Sequence, residues 1–589
     1  MDKKINKLEI LRHSTAHILA AAVLKMFPEA KFAIGPAIKN GFYYDFELPR
    51  TLIPEDLVLI EKEMTKIIKH NYIFEKTTLD INQAESLFKK AKQDFKVELI
   101  EDLKNEGEKK VTIYKSGDFV DLCKGPHLDS TGEINPKALK LTKISGAYWK
   151  GDEKRVMLQR IYGTVFSNPK DLRKHLALLK EAEKRDHRKI GKDLDLFTFS
   201  PLVGAGLPLF KPKGVVIIDE LRNFIENINK RYGFKKVMTP HLAKIEMYEI
   251  SGHARKFADE LFRVTSNRGH DFAMKPVQCP HQTQIYASKP RSYRDLPIRY
   301  MESEKQYRAE KAGEIGGLNR VYAITIEDGH SFCTIAQIKN EIKNMVKVIK
   351  EFYAPFGLLN DFTVSLSVRD YNNPEKYIGD KKDWDKAEKM LEQISKELKL
   401  NATRNEGEAA LYGPKLDFMF KDIFGKEIQI PTIQLDFATP QKFELTFKDE
   451  DGKEKTPVMI HRAILGSYER MLALLIEHFA GSFPLWLSPV QVNIIPVSDK
   501  FIKQAENISK VLSEKGIRVE IDDRTESVGK KISETIKQKI PYTIVYGKEE
   551  EESKKLAIRV RGSKKIRNIK LDTFIKNTDK LISDKSLDL

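Results

Sequence analysis

DLPIRYMESEKQYRAEKAGEIGGLNRVYAITIEDGHSFC, residues 295–333, reads as two strands joined by a long loop. Apolar residues crowd the segment 296–301, and residues 321–326 mix Val, Ala and Thr with Tyr and Ile, the composition of a strand. Between them lie Arg308, Lys311 and Arg320, with Gly313, Gly316 and Gly317 to let the backbone turn. Arginine on a rigid hairpin clamps carboxylate or phosphate oxygens through two parallel N–H bonds. A solvated hairpin with a charged loop would look the same in isolation, so the neighbouring segments decide the meaning.

At 589 residues the chain is long enough for three or four domains of ~100–200 residues each. A net charge of +17, spread along the chain, favours a polyanionic partner, most simply a nucleic acid. Cys123, Cys279 and Cys333 are far apart and form no CxxC pair. They build no disulfide framework and fit a reducing cytoplasm. The apolar run at 18–27 is too short to span a membrane and reads as a helix.

The first segment, 1–165, reads as an α+β domain with a cleft. His13 and His17 share one face of a helix, being four apart. Cys123 and His127 repeat that spacing in DLCKGPH, after a strand-like DFVDL that carries Asp121. The four could converge on zinc, or line a hydrolytic pocket in which His and Asp121 position a water, or be ordinary half-buried residues. Residues 166–192 read as one charged linker helix, with Pro169 in its first turn, Gly191 at its end, and His175 and His187 on the surface. The segment 193–487 holds an amphipathic helix with Ile217, Leu221, Phe224, Ile225 and Ile228 on one face, a strand running to Pro240, then many strands. It closes with PVMIHRAILGSYERMLALLIEHF, a strand turning at Gly466 into a helix with Arg470 in its first turn. From 488 to 589 strands alternate with helices, indicating a compact α/β domain with a mostly parallel sheet and basic exposed ends bearing Arg524, Arg559 and Arg561.

A helix leading to Pro240, an Arg308-bearing strand–loop–strand and a helix opening with GSYER resemble the three signature motifs of class II aminoacyl-tRNA synthetases. HSTAHILA, DLCKGPH, GAYWKGD, MLQRIYGT, YGPKLDF, IQLDF and PVMIHRAILGS resemble the threonyl-tRNA synthetase family in particular, from about Arg12 to the end. The resemblance implies a multidomain α+β protein: an N-terminal α+β editing domain, a catalytic domain built on an antiparallel sheet, and a C-terminal α/β anticodon-binding domain. It implies ATP-dependent attachment of threonine to tRNA through an adenylate. It also implies a zinc ion, one per subunit, on Cys279, His330 and His461, which spacing alone would not have revealed. Cys333, three residues from His330, is read as structural, because a closed tetrahedron leaves no room for substrate.

The zinc makes sense of selectivity. An apolar pocket separates threonine from its near-isostere valine poorly, whereas a site that binds the hydroxyl can reject valine by ~10⁴ or more. Asp328 is expected to accept the hydroxyl's hydrogen bond. Serine lacks only a methyl, worth ~1–3 kcal/mol, so a second, hydrolytic site is needed. The family's editing pocket matches His13, His17, Asp121, Cys123 and His127, and generally works without a metal. Arg308 is expected to bridge the threonine carboxylate and the α-phosphate. Glu310 is expected to read adenine, Arg320 and Arg470 to hold the other end of ATP, and Tyr412, Lys415, Gln429, Gln434 and Ser467 to line the site, with Mg²⁺ accompanying ATP. Glu550 and Arg559 match anticodon-contacting positions. A homodimer is expected through the helix and strand around Leu221 and Pro240. Departures from the family pattern are Val277, Gln278 and Ile326 near the pocket and Thr525 in the last domain. A small β-rich domain that most bacterial members carry ahead of the editing domain is expected to be missing. Rival readings are a synthetase for serine or proline, a non-catalytic RNA-binding relative and a stand-alone deacylase. The Cys/His set and editing motifs, the retained Arg308, Glu310, Arg320 and Arg470, and the long catalytic region argue against them in turn.

Overall fold

The structure, a computed structural model, describes residues 6–359, 362–421 and 427–589. It divides into two compact units, Met1–Lys180 and Glu181–Leu589. The division falls inside the helix Pro169–Arg185, so the expected linker is where the chain passes between units. The linker is not one helix. Asp186 leaves helical geometry and its carboxylate receives the Arg188 N–H, capping a second helix, His187–Asp193, in which Gly191 is buried.

In the first unit, helix Lys7–Met26 is capped by Asn6 and buried along most of its length, as its Ala- and Leu-rich sequence requires. Around it stand a five-stranded antiparallel sheet and a three-stranded sheet of Glu75–Asp80, Lys110–Ser116 and Phe119–Leu122. Phe42, Tyr44, Phe46 and Ile161 of the larger sheet join Ile18, Leu19 and Val23 of the helix in one core.

The second unit is organised on an eight-stranded sheet. In chain order its strands are β1 Lys235–Lys236, β2 Ile298–Tyr307, β3 Ala323–Cys333, β4 Thr363–Val368, β5 Thr403–Glu406, β6 Lys415–Lys421, β7 Glu427–Asp436 and β8 Val458–Ser467. Their spatial order is β1-β2-β3-β8-β7-β6-β4-β5, antiparallel except for the parallel pairs at the two edges. The hairpin β2–β3 is longer than the sequence suggested, ten and eleven residues. The strand leading to Pro240 is shorter, with only Lys235 and Lys236 in register beside β2.

Alternation along the strands separates two faces. Leu416, Phe418, Ile433, Leu435 and Ile460 enter the core with Ile217, Leu221 and Ile225 of helix Pro212–Arg231 and Leu472 and Leu475 of helix Tyr468–His478. Their neighbours in sequence, Lys415, Asp417, Gln434 and His461, therefore share the other face.

The last five strands do not form a mostly parallel sheet. Val519–Ile521, Val492–Pro496 and Tyr542–Tyr546 are parallel, but Leu556–Val560 and Ile566–Ile569 are antiparallel additions. Between Tyr546 and Leu556 lies only the short helix Lys548–Ser553, less than the dozen or so residues a parallel crossover needs. Arg561 is not an exposed basic group. Its guanidinium donates to the carbonyls of Lys539, Ser482 and Phe483 at 2.6, 3.1 and 2.7 Å.

Candidate functional site

Sheet register assembles the first part of the site. His330 on β3 is directly opposite His461 on β8, His461 is opposite Gln434 on β7, and Gln434 is opposite Lys415 on β6. Directly opposed residues point to one side, so a row of four polar side chains crosses the sheet. Cys279 reaches it from the first turn of helix Cys279–Ala287. One ligand atom each from Cys279, His330 and His461 lies within 4.8 Å of the others, and all three residues are buried. Each imidazole is oriented from behind: His330 Nδ1 lies 2.8 Å from Gln282 Oε1, and His461 Nε2 lies 2.8 Å from Asp436 Oδ2. His330 Nε2 is buried without a hydrogen-bond partner. Burial drives the Cys279 thiol pKa well above its ordinary value, reinforced by Asp328 and Asp436. Burial drives the His330 imidazole well below its own, reinforced by His461 and Arg462. A soft sulfur donor, which a bound cation would deprotonate, and two oriented neutral imidazoles, one with a free buried nitrogen, form a donor set that fits zinc. Cys333 stands apart from the cluster, fully buried with the core side chains.

Around this cluster Tyr412 stacks on His461 with ring centroids 4.2 Å apart, and its hydroxyl donates to Gln434 Oε1 at 2.5 Å. The loop carrying Tyr412 lies close enough on β7 that a Cβ at Gly413 would fall 1.8 Å from the Leu435 carbonyl oxygen. Asp328 sits at a bulge between β3 and β8, accepts the Gly329 N–H at 2.9 Å, and has its other oxygen 3.8 Å from His330 Nε2. Burial pushes its carboxyl up to about 7, against the pull of Arg462. Gln278 is buried and its amide faces the Glu304 and Ile326 carbonyls at 3.4 Å, so two of the departures from the family pattern meet in space.

Further along the row, Asp417 accepts from Lys415 Nζ at 2.7 Å, Gln429 Nε2 at 2.6 Å, Thr432 Oγ1 at 2.9 Å and Ser367 Oγ at 2.8 Å. The sequence reading missed this hub. At the other end Arg320 pairs with Glu310 and Glu314 at 2.7 and 2.9 Å. Arg470, in the first turn of its helix, donates to the Asn319 carbonyl at 2.8 Å. Its pKa is lowered first by burial, then by the positive charges of Arg308 and Arg320. Ser467 caps the same helix, its Oγ receiving the Arg470 N–H at 3.2 Å and donating to the buried Glu469 at 3.0 Å. Positive charge gathered at a helix N-terminus is an anion site.

In the first unit His13, His17, Cys123 and His127 also bring ligand atoms within 4.8 Å of one another. Cys123 Sγ lies 3.3 Å from His13 Nε2 and 3.3 Å from His127 Nε2. Asp121 lies behind, 3.4 Å from His17 Nε2, accepting from the Tyr44 hydroxyl at 2.7 Å and paired with Lys96. Burial lowers the pKa of all three histidines, most for His17 and His127, and pushes the Cys123 thiol up to about 11. The imidazoles are thus neutral proton acceptors beside an unreactive thiol. Lys96 and Tyr44 belong to this site and were not anticipated. A lysine inside an apolar helix face, DFKVELI, and a doubled tyrosine in GFYYDF were the only signals.

Two expected positions differ. His187 is not a surface residue but 4% exposed, while His175 is half-buried beside Phe166. Leu221 is wholly buried in its own unit, whereas Met238 and Leu242, on either side of Pro240, are exposed. Arg559 is exposed on strand Leu556–Val560, whereas the Glu550 carboxylate receives the Gly547 N–H at 2.8 Å. No hydrogen bond joins the two among the described residues.

Three family profiles match the chain: the class II core domain of tRNA synthetases (G, H, P, S and T) over residues 262–479, an anticodon binding domain over 491–581, and the threonyl and alanyl tRNA synthetase second additional domain over 111–162. Threonine–tRNA ligase from Gloeobacter violaceus is 45% identical over 560 residues, covering 94% of this chain and 89% of that protein. The Clostridioides difficile enzyme is 45% identical over 577 residues, covering 98% and 88%. Among solved structures, the RNA binding domain of threonyl-tRNA synthetase from Cryptosporidium parvum superposes with a TM-score of 0.64 at 31% identity, over 69% of this chain and 99% of that one. With relatives this similar over nearly its whole length, and the editing-associated, class II core and anticodon-binding domains following one another in that order, the chain belongs to the threonine–tRNA ligase family.

Proposed function

We propose that the protein activates threonine with ATP, transfers it to tRNA, and hydrolyses mischarged seryl-tRNA in its first unit. The observation that carries the reading is the row His330–His461–Gln434–Lys415, with Cys279 at one end and the guanidiniums of Arg308, Arg320 and Arg470 beside it. Cys279, His330 and His461 would hold zinc. When bound, it supplies a Lewis-acid position for the amino and hydroxyl groups of threonine. Asp328 accepts the hydroxyl's hydrogen bond and Tyr412 walls the pocket, so valine leaves a buried carboxylate without its partner.

The threonine carboxylate attacks the α-phosphate in line and pyrophosphate leaves. Arg308 bridges the two reacting groups and stabilises the charge that develops between them. Lys415, held by Asp417, adds positive charge from the sheet face. Glu310 reads the adenine amino group, while Arg320 and Arg470 hold the far phosphates with Mg²⁺. Gln429, Gln434 and Ser467 hold the geometry around them. The terminal ribose hydroxyl of tRNA then attacks the adenylate's carbonyl carbon, losing its proton as the mixed anhydride bond breaks and AMP leaves.

In the first unit, one of the neutral imidazoles of His13, His17 and His127 takes the proton of a water that attacks the seryl ester and passes it to the departing ribose oxygen, with Asp121 orienting His17. Glu550 and Arg559 contact the anticodon. A homodimer is part of the reading by its likeness to the family. Among the described residues no helix is long and apolar enough to cross a membrane, and the widely spaced cysteines favour a cytoplasmic location.

The test is ATP–pyrophosphate exchange with single amino acids. Threonine should support it and valine should not; absence of threonine-dependent exchange overturns the reading.

A further inference from the structure

The two arginines at the far end of ATP rest on separate pieces of backbone. Helix Tyr468–His478 carries Arg470 in its first turn and Glu477 near its end. The turn at 316–320 ends in Arg320, and the Asn319 carbonyl within it receives Arg470 Nε. A third segment joins the two supports. The buried His187 ring has Nδ1 2.7 Å from Glu477 Oε1, while the Leu318 N–H donates to its Nε2 at 3.1 Å. A carboxylate only accepts, so Nδ1 carries the proton and Nε2 is the acceptor. The turn is seated directly on the ring: a Cβ at Gly317, whose φ is +53°, would fall 2.3 Å from Nε2. Next to it, Arg185 donates to the His478 carbonyl at 3.2 Å and closes the same helix end.

Asp186, His187 and Glu477 have ligand atoms within 4.8 Å of one another, the spacing of a metal site. That reading fails on chemistry. Both nitrogens of His187 already have partners, and Asp186 is engaged by the Arg188 backbone and guanidinium at 2.8 to 3.1 Å.

We propose that His187 is a positioning residue for ATP: its ring, protonated on Nδ1, fixes the turn bearing Arg320 against the helix bearing Arg470, so that both guanidiniums meet the same phosphates. The proposal rests on the aminoacylation reading above. The pocket residues Asp328, His330 and His461 lie further along β3 and β8, the strands that the turn and the helix adjoin, and among the described residues no hydrogen bond joins them to His187. His187 acts through Leu318 and Glu477 and touches no substrate.

Two amides divide the ring's functions. His187→Asn keeps a donor near Nδ1 for Glu477 but loses the acceptor for Leu318. His187→Gln extends an amide oxygen towards Leu318. In exchange assays on the full chain, His187→Asn should raise KM for ATP about fivefold, the size of one neutral hydrogen bond, with KM for threonine within about twofold of wild type. His187→Gln should recover most of that loss. Equal effects of the two variants, or equal movement of both KM values, overturn the proposal. If His187→Asn shows no cooperative melting, Gly317→Ala takes its place. Its Cβ displaces the turn from an intact His187, and it too should raise KM for ATP alone; an unchanged ATP KM overturns the proposal. Wild-type protein without exchange would instead count against the aminoacylation reading.

Discussion

Asp417 is a single carboxylate accepting from four side chains across three strands, and each bond arises from alternation along β6 and register with β4 and β7. A carboxamide of the same shape has one accepting oxygen, so Asp417→Asn leaves donors unpaired in a buried setting. The expected result is kcat for threonine-dependent exchange down about tenfold, with a lowered melting temperature. Arg308→Ala differs: among the described residues its guanidinium makes one long bond, Nε to the Pro276 carbonyl at 3.4 Å, and its proposed partners are substrate groups. Exchange should fall by about 10² to 10³ with the melting temperature unchanged within a degree or two. Normal exchange in that variant removes Arg308 from the chemistry. Local placement was legible where a motif was contiguous, as for Arg470 in the first turn of the helix that GSYER opens. Asp417 was not, since LDFMFKD sets it as the one charge between apolar residues and says nothing of what lies opposite. His187 was misread for a related reason: flanked by Arg185, Asp186 and Arg188, it looks solvated, yet the break at Asp186 turns it inward.

At the scale of elements, the core side of the sheet follows from hydrophobic alternation, and helix Pro212–Arg231 from its apolar periodicity. The convergence of Cys279, His330 and His461 does not. It depends on which strands become neighbours, and β3 pairs with β8 across more than a hundred residues. The final sheet shows the reverse failure: strand–helix alternation suggested parallel pairing, but a connection too short to cross over made the last strands antiparallel. In the first unit, helix Asp94–Asn105 is fastened by Glu98, which accepts from Trp149 Nε1, Lys150 Nζ and Arg155 Nη1 at 2.8, 2.8 and 2.5 Å. Burial raises its pKa, but the bonds from Lys150, Arg155 and Trp149 outweigh it and hold the carboxyl down to about 2. A folded value below the unfolded value of about 4.3 gives stability that is full above the unfolded value and lost as pH falls through about 2. The carboxylate is a third exposed, so solvent screening reduces the effect. Glu98→Gln should therefore lower the first unit's melting temperature by about 2 °C at pH 7 and flatten its acid dependence between about pH 4 and 2. A variant that melts like wild type at pH 7 sinks this assignment.

For the whole molecule, two Cys/His clusters, one partly and one wholly buried, lie in different compact units and differ in what surrounds them. The first is backed by Asp121, Lys96 and Tyr44, whereas in the second each imidazole is held by its own acceptor. Separate sites should fail separately. His127→Ala should reduce deacylation of seryl-tRNA by about 10² or more while threonine-dependent exchange stays within about twofold. Parallel loss of both activities would show that the division of labour is wrong.

The central claim is that threonine is gripped through one zinc ion on Cys279, His330 and His461. Its most direct test is threonine-dependent pyrophosphate exchange measured together with metal content, before and after chelation. One zinc per chain, exchange lost when the metal is stripped and regained when zinc is returned, is the expected result. Full exchange from metal-free protein would contradict it.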